Sequence, residues 1–319
     1  MASPVNPGHV EDIVGLDWSD GEITAARVDV SPLGAVSLLN VGWARTGVGA
    51  SDAALAGAIR EVWRSAGMPS HTVAVSIRNR SVVVRPFSYP SLRSEELQAA
   101  LRLEAEESLQ LPREEIAVDW HLNHAPVPGV PGEGQSYSGL LVAAPLKEVE
   151  HHLSILRMAG LYPVVMDLGA TAVGNLYRTM HREPKACEDA CVLHLTRQSA
   201  DIVMLFNGDG LYARTLHARG ETWDASISTL VEGLQDALKY YVFKLRGQPV
   251  RRLVVTGHLP GQSDFLNVLQ AKADVPVERW DPLAHIKPAG VRVRSRLAAG
   301  APPPLSICMG LSLRRYSSD

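Results

Sequence analysis

The feature that most constrains the fold is one pattern that occurs twice in the 319-residue chain: three strand-like runs, a helix and another strand. In the first half the three runs are 13–18, 22–30 and 35–43, and turns that contain Gly21 and Gly34 separate them. Short polar turns between β-prone runs predict an antiparallel meander. With its helix, the pattern predicts a mixed sheet that helices cover.

The second half starts the same pattern again. Strand-like runs occupy 190–195, 201–206 and 211–217, a helical periodicity follows from about 226 to 246, and a buried strand is predicted at 252–256. No sequence identity recurs at a fixed period, so the duplication concerns architecture and not a tandem array.

The division between the halves is predicted in the polar stretch 181–190, which contains Pro184 and lacks periodicity. We therefore expect a first half at 1–186 and a second half at 187–319. A Pro-rich break at 301–305 precedes a short helix that we expect to pack back on the first half.

The composition restricts the class of function. The net charge is -3 and the pI is about 6.4, so no global positive field favours a nucleic-acid partner. The N-terminus has no signal-peptide pattern, and no uncharged run approaches the ~18 residues of a membrane span. Three cysteines, Cys187, Cys191 and Cys308, fit a reducing compartment better than a zinc site. The expected location is cytoplasmic, without direct membrane insertion.

The stretch between the first meander and the domain division carries the most distinctive sequence. Ser94 is predicted to cap a helix with Leu97, Leu101 and Ala105 on its packed face, and Pro112 follows its end. Predicted strands at 116–122 and 139–144, helices at 146–159 and 170–180, and a strand at 162–168 complete this half.

Five stretches together resemble a known family, the PilM family of type IV pilus assembly proteins. That family is related to the cell-division protein FtsA and belongs to the actin-like ATPase superfamily. The part at 92–168 is the most specific of the match. The stretches are IVGLDWSDGEITAARV (13–28), LRSEELQAALRLEAEESLQLPREEIAVDWHL (92–122), LLVAAPLKEVEHHLSILRMAGLYPVVMDL (140–168), RRLVVTGHLPG (251–261) and ICMGLSLR (307–314).

The resemblance implies a fold and a role. The fold is α/β and actin-like, a duplicated ribonuclease H-like two-domain arrangement with a small α/β subdomain inserted at about 81–160. Members of the family lie on the cytoplasmic side of the inner membrane and bind the N-terminal cytoplasmic peptide of PilN. A groove between the inserted subdomain and the first half holds that peptide. The expected partners are a PilN-like single-span membrane protein and other pilus platform proteins.

The resemblance also implies a site for ATP and Mg²⁺ between two hairpin turns. In the first turn, Asp17 occupies the position of the family's first-strand Asp, where it would hold Mg²⁺ through a water. Ser19 replaces the usual Gly, Gly21 remains, and Thr24 replaces the Lys of many relatives. An ordinary hairpin, with Asp17 as an acceptor that stabilises the turn, is the alternative interpretation.

The second turn departs further from the family pattern. His194 falls at the Asp, Thr196 falls at the Gly, and Ser199 or Asp201 lies near the Thr. A neutral imidazole is a poor substitute for a carboxylate, since Mg²⁺ prefers oxygen, and a β-branched residue obstructs close approach of the backbone. Arg197 has two interpretations, a phosphate contact or a solvated turn residue.

The remaining nucleotide positions are mixed. Gly220 survives beside Arg219, Glu232 lies near the position of a ribose-contacting acid, and Gly257 is followed by His258 where the family has a second Gly. An exposed helical side chain is the alternative interpretation of Glu232. These departures predict a degenerate nucleotide site, so ATP and Mg²⁺ are doubtful ligands and no catalytic residue is assigned.

Other patterns are weaker. The alternation of Val and Arg at 291–296 predicts a solvated edge strand whose like charges oppose sheet pairing. Histidines that do not share metal-ligand spacing with a carboxylate or Cys are interpreted as surface residues, namely His121, His124, His151 and His152.

Two alternatives to the adaptor role stay open. One is an active actin-like ATPase whose nucleotide cycle changes the angle between the halves. The other is the cytoplasmic part of a related type II secretion protein, which normally continues into a membrane helix that is not found before Asp319.

Overall fold

The computed structural model describes residues 13–314 except 33, 48, 79, 91, 124–136, 182–188, 197, 207–208, 219–222, 246, 259–261 and 301. The strands are β1 (Val14–Ser19), β2 (Glu22–Val30), β3 (Val36–Arg45), β4 (Thr72–Ser76), β5 (Val83–Tyr89), β6 (Ile116–Leu122), β7 (Tyr137–Pro145), β8 (Tyr162–Asp167), β9 (Ala190–Leu195), β10 (Ser199–Phe206), β11 (Asp209–His217), β12 (Arg252–Gly257), β13 (Val277–Arg279) and β14 (Lys287–Pro288).

The α-helices are α1 (Asp52–Ala66), α2 (Ser94–Leu109), α3 (Leu146–Ala159), α4 (Gly169–Met180), α5 (Trp223–Lys239), α6 (Gln262–Lys272), α7 (Gly290–Ala298) and α8 (Ser306–Ser312). A π-helical turn, Tyr240–Lys244, continues α5. Among the described residues, no helix combines the length and the hydropathy that crossing a lipid bilayer requires.

The strands form three sheets. The first sheet has the order β14-β3-β2-β1-β4-β8, and the second has the order β11-β10-β9-β12-β13. In each sheet an antiparallel meander is extended by parallel strands, β4 beside β1 and β12 beside β9. The predicted repetition of one architecture is therefore present in the two sheets.

The third sheet lies between β4 and β8 in the chain and has the order β5-β7-β6. Helix α2 covers it with the predicted face, since Leu97, Leu101 and Ala105 are buried. The helix starts one residue differently from the prediction: Arg93 is the N-cap, and its N–H donates to the Glu96 carboxylate at 2.9 Å. The division of the chain at 81–160 and at 186/187 stays a prediction.

Helix α8 lies directly on the first sheet and on α4. A Cβ at Gly15 would lie 1.8 Å from the Cys308 carbonyl oxygen, and one at Gly310 would lie 1.9 Å from the Ala172 carbonyl oxygen. The Ser312 hydroxyl accepts from the Val28 N–H at 3.0 Å. It also donates, at 3.0 Å, to the carbonyl of Ile13, the residue that precedes β1. Glycine at these positions allows backbone to pack against backbone without a side chain between.

The predicted edge strand at 291–296 is wrong, because these residues form α7. Val293 is buried and Leu297, one turn later, packs against the same core. The Arg296 guanidinium lies 5.0 Å from the centre of the Trp43 ring and donates to the Trp43 carbonyl at 3.1 Å. In a helix, Val293 and Leu297 lie on the same face and both pack against the core. This packing outweighs the preference for a strand that the alternation of Val and Arg over six residues indicates.

Candidate functional site

The first candidate site is the cleft between the β1–β2 turn and the β9–β10 turn. The described residues around it leave a cavity of about 20 Å³, which is room for about one water molecule. Its lining is polar and comes from both halves: Asp17, Ser19, Asp20, Glu22, Thr24, His194, Thr196, His258 and Pro304.

Asp17 is buried in this cleft, with only 6% of its surface exposed. The Ser76 hydroxyl donates to one carboxylate oxygen, and the Ser19 hydroxyl donates to the other at 3.2 Å. Asp20 and Gly21 form the turn with positive φ angles of 52° and 75°. The predicted pair of Asp17 and Ser19 is therefore brought together, as an acceptor and a donor inside the hairpin.

The second turn, between β9 and β10, is held by hydrogen bonds between its own residues. The Thr196 hydroxyl lies 2.8 Å from the Ser199 hydroxyl and accepts the Ser199 N–H at 3.0 Å. His194 is 2% exposed, and neither ring nitrogen has a hydrogen-bond partner among the described residues. Burial, assisted by the positive charge of Arg78, lowers the pKa of His194 to about 3. The imidazole is neutral at physiological pH.

Arg78 and Asp201 form a buried ion pair that the sequence patterns did not indicate. Arg78 follows β4 in the first half, Asp201 lies on β10 in the second half, and their side chains are 10% and 0% exposed. The Thr215 hydroxyl also donates to Asp201 at 2.6 Å. In the antiparallel register Asp201 lies opposite His194, so the second half has a carboxylate next to this turn, although Asp201 does not line the cavity.

The charges around Arg78 are dominated by carboxylates. Burial by itself would lower the pKa of Arg78, but the negative charges of Asp201, Asp17 and Asp20 outweigh it and raise that pKa. Arg78 Nε and Nη1 meet no acceptor among the described residues, so Asp201 is the carboxylate that the guanidinium binds directly. A guanidinium thus supplies the positive charge between acidic groups of the two halves.

Two of the other predicted nucleotide positions, Glu232 and Gly257, are not among the residues that line this cavity. Glu232 is exposed on α5 and is not among the residues that line the cavity. Gly257 has a φ of 98°, and a Cβ there would lie 2.2 Å from the Leu195 carbonyl oxygen, so its role is close packing of β12 on β9. Gly220 and Arg197 lie outside the described residues.

The second candidate site is a groove of about 290 Å³ where the three sheets meet. Strands β6 and β7 form one wall, β8 and α4 form the second, and β10 and β11 form the third. The lining residues are Ile77, Asp119, Trp120, His121, Leu140, Val142, Val165, Met166, Asp167, Leu168, Thr171, Gly174, Asn175, Arg178, Val203, Leu205, Gly210 and Arg314.

Two sheet edges border this groove. In the described part of the chain, β6 is the edge of the third sheet and β8 is the edge of the first sheet. The side chains beneath them are apolar: Leu140 and Leu205 are buried, and Val142 and Val165 are half-buried. Edge strands carry backbone N–H and C=O groups that face away from their own sheet.

The polar rim of the groove contains an ion pair between Asp167 and Arg314. Arg314 donates to Asp167 at 2.5 Å, and the other Asp167 oxygen accepts from the Leu168 N–H at 2.8 Å and the Thr171 hydroxyl at 2.5 Å. Burial opposes the charge of Arg314, but Asp167 and the nearby Asp119 raise its pKa. The ion pair joins the segment after α8 to the end of β8.

The histidine and cysteine predictions concern scattered residues. His121 lines the groove, and His151 lies 3.5 Å from Asp52. The prediction of His152 as a surface residue is wrong, because it is buried on the packed side of α3 and stacks on Trp18 with ring centres 5.2 Å apart. The described residues contain no cluster of His, Cys, Asp and Glu that could hold a metal ion. Cys191 and Cys308 are buried, and burial raises the pKa of both thiols to about 12. His124 and Cys187 lie outside the described residues.

Two meander sheets whose turns face one cleft define the actin-like ATPase class of fold, with a three-stranded insertion in the first half. Solved structures that share it include the following three. The PilM–PilN type IV pilus biogenesis complex gives a TM-score of 0.77 at 23% identity, over 96% of this chain and 99% of the other. The cytoplasmic domain of EpsL, from the type II secretion system of Vibrio cholerae, gives 0.50 at 11% identity over 92% and 97%. An actin-like ATPase-fold protein of unknown function from Bacteroides thetaiotaomicron gives 0.51 at 11% identity over 93% and 99%.

The sequence profile of the type IV pilus assembly protein PilM matches residues 33–232. The chain belongs to this PilM family. The predicted family and the predicted fold class are both confirmed.

Replacing Arg78 with Met should destabilise the protein strongly, because Asp201 would remain as a buried charge without its partner. We expect a loss of about 3–5 kcal/mol in the free energy of unfolding, measured by urea denaturation. The double change Arg78→Met with Asp201→Asn should recover part of that loss. Arg64→Met, at a side chain that is 78% exposed, is the matched control and should leave the unfolding midpoint in place. A midpoint for Arg78→Met equal to that of Arg64→Met would show that the Arg78–Asp201 pair does not stabilise the fold.

His194 should make stability depend on pH. Its pKa is about 3 in the folded protein and about 6.5 when unfolded. The unfolded chain binds the extra proton between these values, so stability is fully present above about pH 6.5 and is lost as the pH falls toward 3. His194→Leu should reduce the slope of unfolding free energy between pH 6 and 5 by up to about 1.4 kcal/mol per pH unit. Denaturation of both proteins across this range tests it, and an unchanged slope would refute it.

Proposed function

We propose that this chain is a cytoplasmic adaptor of the type IV pilus inner-membrane platform. In this role it binds the N-terminal cytoplasmic peptide of a PilN-like single-span membrane protein, and that partner holds it at the inner membrane. The observation that carries the proposal is the groove of about 290 Å³ between the edges of β6 and β8. Membership of the PilM family and the likeness to the PilM–PilN complex support it.

The groove suits an extended peptide for a geometric reason. A strand added to a sheet edge lies about 4.8 Å from its neighbour and forms backbone hydrogen bonds along the edge. Its side chains alternate between two sides, so every second side chain would point toward the apolar floor of Leu140, Val142 and Leu205. The floor favours apolar residues at alternate positions of the peptide.

The polar groups at the rim of the groove would favour one orientation of the bound peptide. Asp119 and the Asp167–Arg314 pair lie at one part of the lining, whereas Arg178 and Asn175 come from α4. The Asp119 carboxylate accepts the Trp120 N–H at 2.8 Å, so one backbone donor on β6 is already occupied by a local acceptor. Strand addition would use the remaining edge groups of β6 or those of β8.

We also propose that the actin-like cleft is degenerate as a nucleotide site. A Mg²⁺–nucleotide needs a pocket of several hundred Å³, and the described residues leave about 20 Å³. Asp201 is already neutralised by Arg78, and Asp17 accepts from two serine hydroxyls. The residues present do not fit Mg²⁺ with a triphosphate, which argues against the alternative of an active ATPase.

A synthetic N-terminal peptide from a PilN-like protein of the same organism should bind this chain with micromolar affinity or tighter, as measured by fluorescence anisotropy. Val142→Asp places a charge on the apolar floor and should weaken binding at least tenfold, which is about 1.4 kcal/mol. Val291→Asp is the matched control, because Val291 is 72% exposed on α7 and does not line the groove.

Thermal melts would first establish that both valine variants fold. Equal loss of peptide affinity in the two variants, or none in either, would show that the peptide binds elsewhere. No saturation by the unaltered chain at any accessible concentration would reject the adaptor proposal.

Mg-ATP should give no saturable heat in calorimetry up to about millimolar concentration, and phosphate release should equal that of buffer. The physical reason is that the cleft is too small for a nucleotide. In addition, the Arg78 guanidinium already supplies the positive charge that a metal ion would supply. Asp17→Ala provides the comparison. Micromolar binding that Asp17→Ala abolishes would restore the ATPase alternative.

A further inference from the structure

The last turn of α5 departs from the continuous helix that the sequence predicts. Residues Tyr240–Lys244 form a π-helical turn, in which the Leu245 N–H donates to the Tyr240 carbonyl, five residues back, at 3.2 Å. Such turns are rare, less stable than α-helix and frequent at functional sites. Its surroundings indicate what the turn presents.

The inner side of the turn is fixed by aromatic packing. Tyr241 is 2% exposed, and its ring lies so close to Gly247 that a Cβ there would come within 2.3 Å of it. The ring of Tyr240 lies 5.8 Å from the ring of Tyr212, which is buried. The π turn is therefore a fixed support for the side chains on its outer side.

The outer side presents aromatic rings between two cations. Phe243 is 78% exposed and Tyr240 is 44% exposed. Lys239 and Lys244 flank them and are exposed as well. We call these four residues the aromatic-basic patch. The other three phenylalanines, Phe87, Phe206 and Phe265, are buried or half-buried, so the exposure of Phe243 is exceptional in this chain.

The lysines of the patch make no ion pair with another described residue. The protein has a net charge of -3, so the positive charge of the patch is opposite in sign to the net charge of the molecule. An exposed aromatic group that lies between unpaired cations is complementary to a surface that is negative outside and apolar beneath.

We propose that the aromatic-basic patch binds the surface of an anionic lipid bilayer. Phe243 and Tyr240 would enter the headgroup region, and Lys239 and Lys244 would contact anionic headgroups. The two lysines that flank the rings favour lipid over protein, because lysine is depleted from protein interfaces and enriched at membrane surfaces. The contact is superficial and uses no membrane-spanning segment.

This site is separate from the peptide groove, since none of its four residues lines that groove. Two lysines and two partly inserted rings give weak binding on their own. A partner that holds the chain near the bilayer would raise the effective concentration and make a weak contact sufficient. The patch would then set which side of the molecule faces the membrane.

Flotation of the full chain with vesicles tests the proposal. We expect saturable binding to vesicles of phosphatidylglycerol and phosphatidylcholine, little binding to phosphatidylcholine alone, and weaker binding at high salt. Lys239→Gln with Lys244→Gln should lower partitioning roughly 30-fold, at about fivefold per lysine. Phe243→Ser should lower it at least about tenfold, and Phe243→Trp should retain it.

Lys272→Gln with Lys287→Gln is the matched control, because it removes the same charge from exposed lysines outside the patch. This variant should float like the unaltered chain. Equal losses in the two double variants would mean non-specific attraction and would overturn the proposal. Absence of binding to anionic vesicles, or binding that Phe243→Ser leaves unchanged, would overturn it too. Because Phe243 is exposed, the Phe243→Ser variant should have the same melting temperature as the unaltered chain. A loss of vesicle binding in this variant would then not be caused by unfolding.

Discussion

The ion pair between Arg78 and Asp201 joins the two halves of the molecule, since Arg78 follows β4 and Asp201 lies on β10. Both side chains are almost completely withdrawn from solvent, so each charge depends on the other. The guanidinium also lies in the field of Asp17 and Asp20, which come from the opposite turn. The guanidinium is thus an internal cation among the carboxylates of both halves. The relative position of β4 and β10 follows from that pairing.

The closed cleft and the open groove are consequences of the same arrangement. The chain that leaves β4 carries Ile77 into the lining of the groove and Arg78 into the ion pair. β10 contributes Asp201 to the ion pair and Val203 and Leu205 to the groove. Because the ion pair fixes these elements, the apolar floor of the groove has a defined shape before any peptide arrives. In the proposed adaptor, the peptide site lies at strand edges that this ion pair helps to position.

The secondary structure was largely predictable, because alternation, helical spacing and turn residues are local signals. The meanders, the packed face of α2 and the end of α1 at Gly67, which has a φ of 60°, follow from such signals. The failure at 291–296 has a clear cause: at helical spacing, Val293 is buried and Leu297 is half-buried against a core that the sequence does not display. The π turn after α5 was missed for a similar reason, since the contact of Tyr241 with Gly247 decides it.

By itself, the sequence determined the repeated pattern, the packed face of α2 and the family. Each of these is written in residues that are adjacent or regularly spaced, so no knowledge of contacts is needed. Only the tertiary structure decided that Asp201 faces the cleft and that Arg78, 123 residues away in the chain, neutralises it. It likewise decided which strand edges border the groove and that Phe243 lies outside the core. The physical reason is that burial and charge pairing depend on distance in space, and sequence patterns record only distance along the chain.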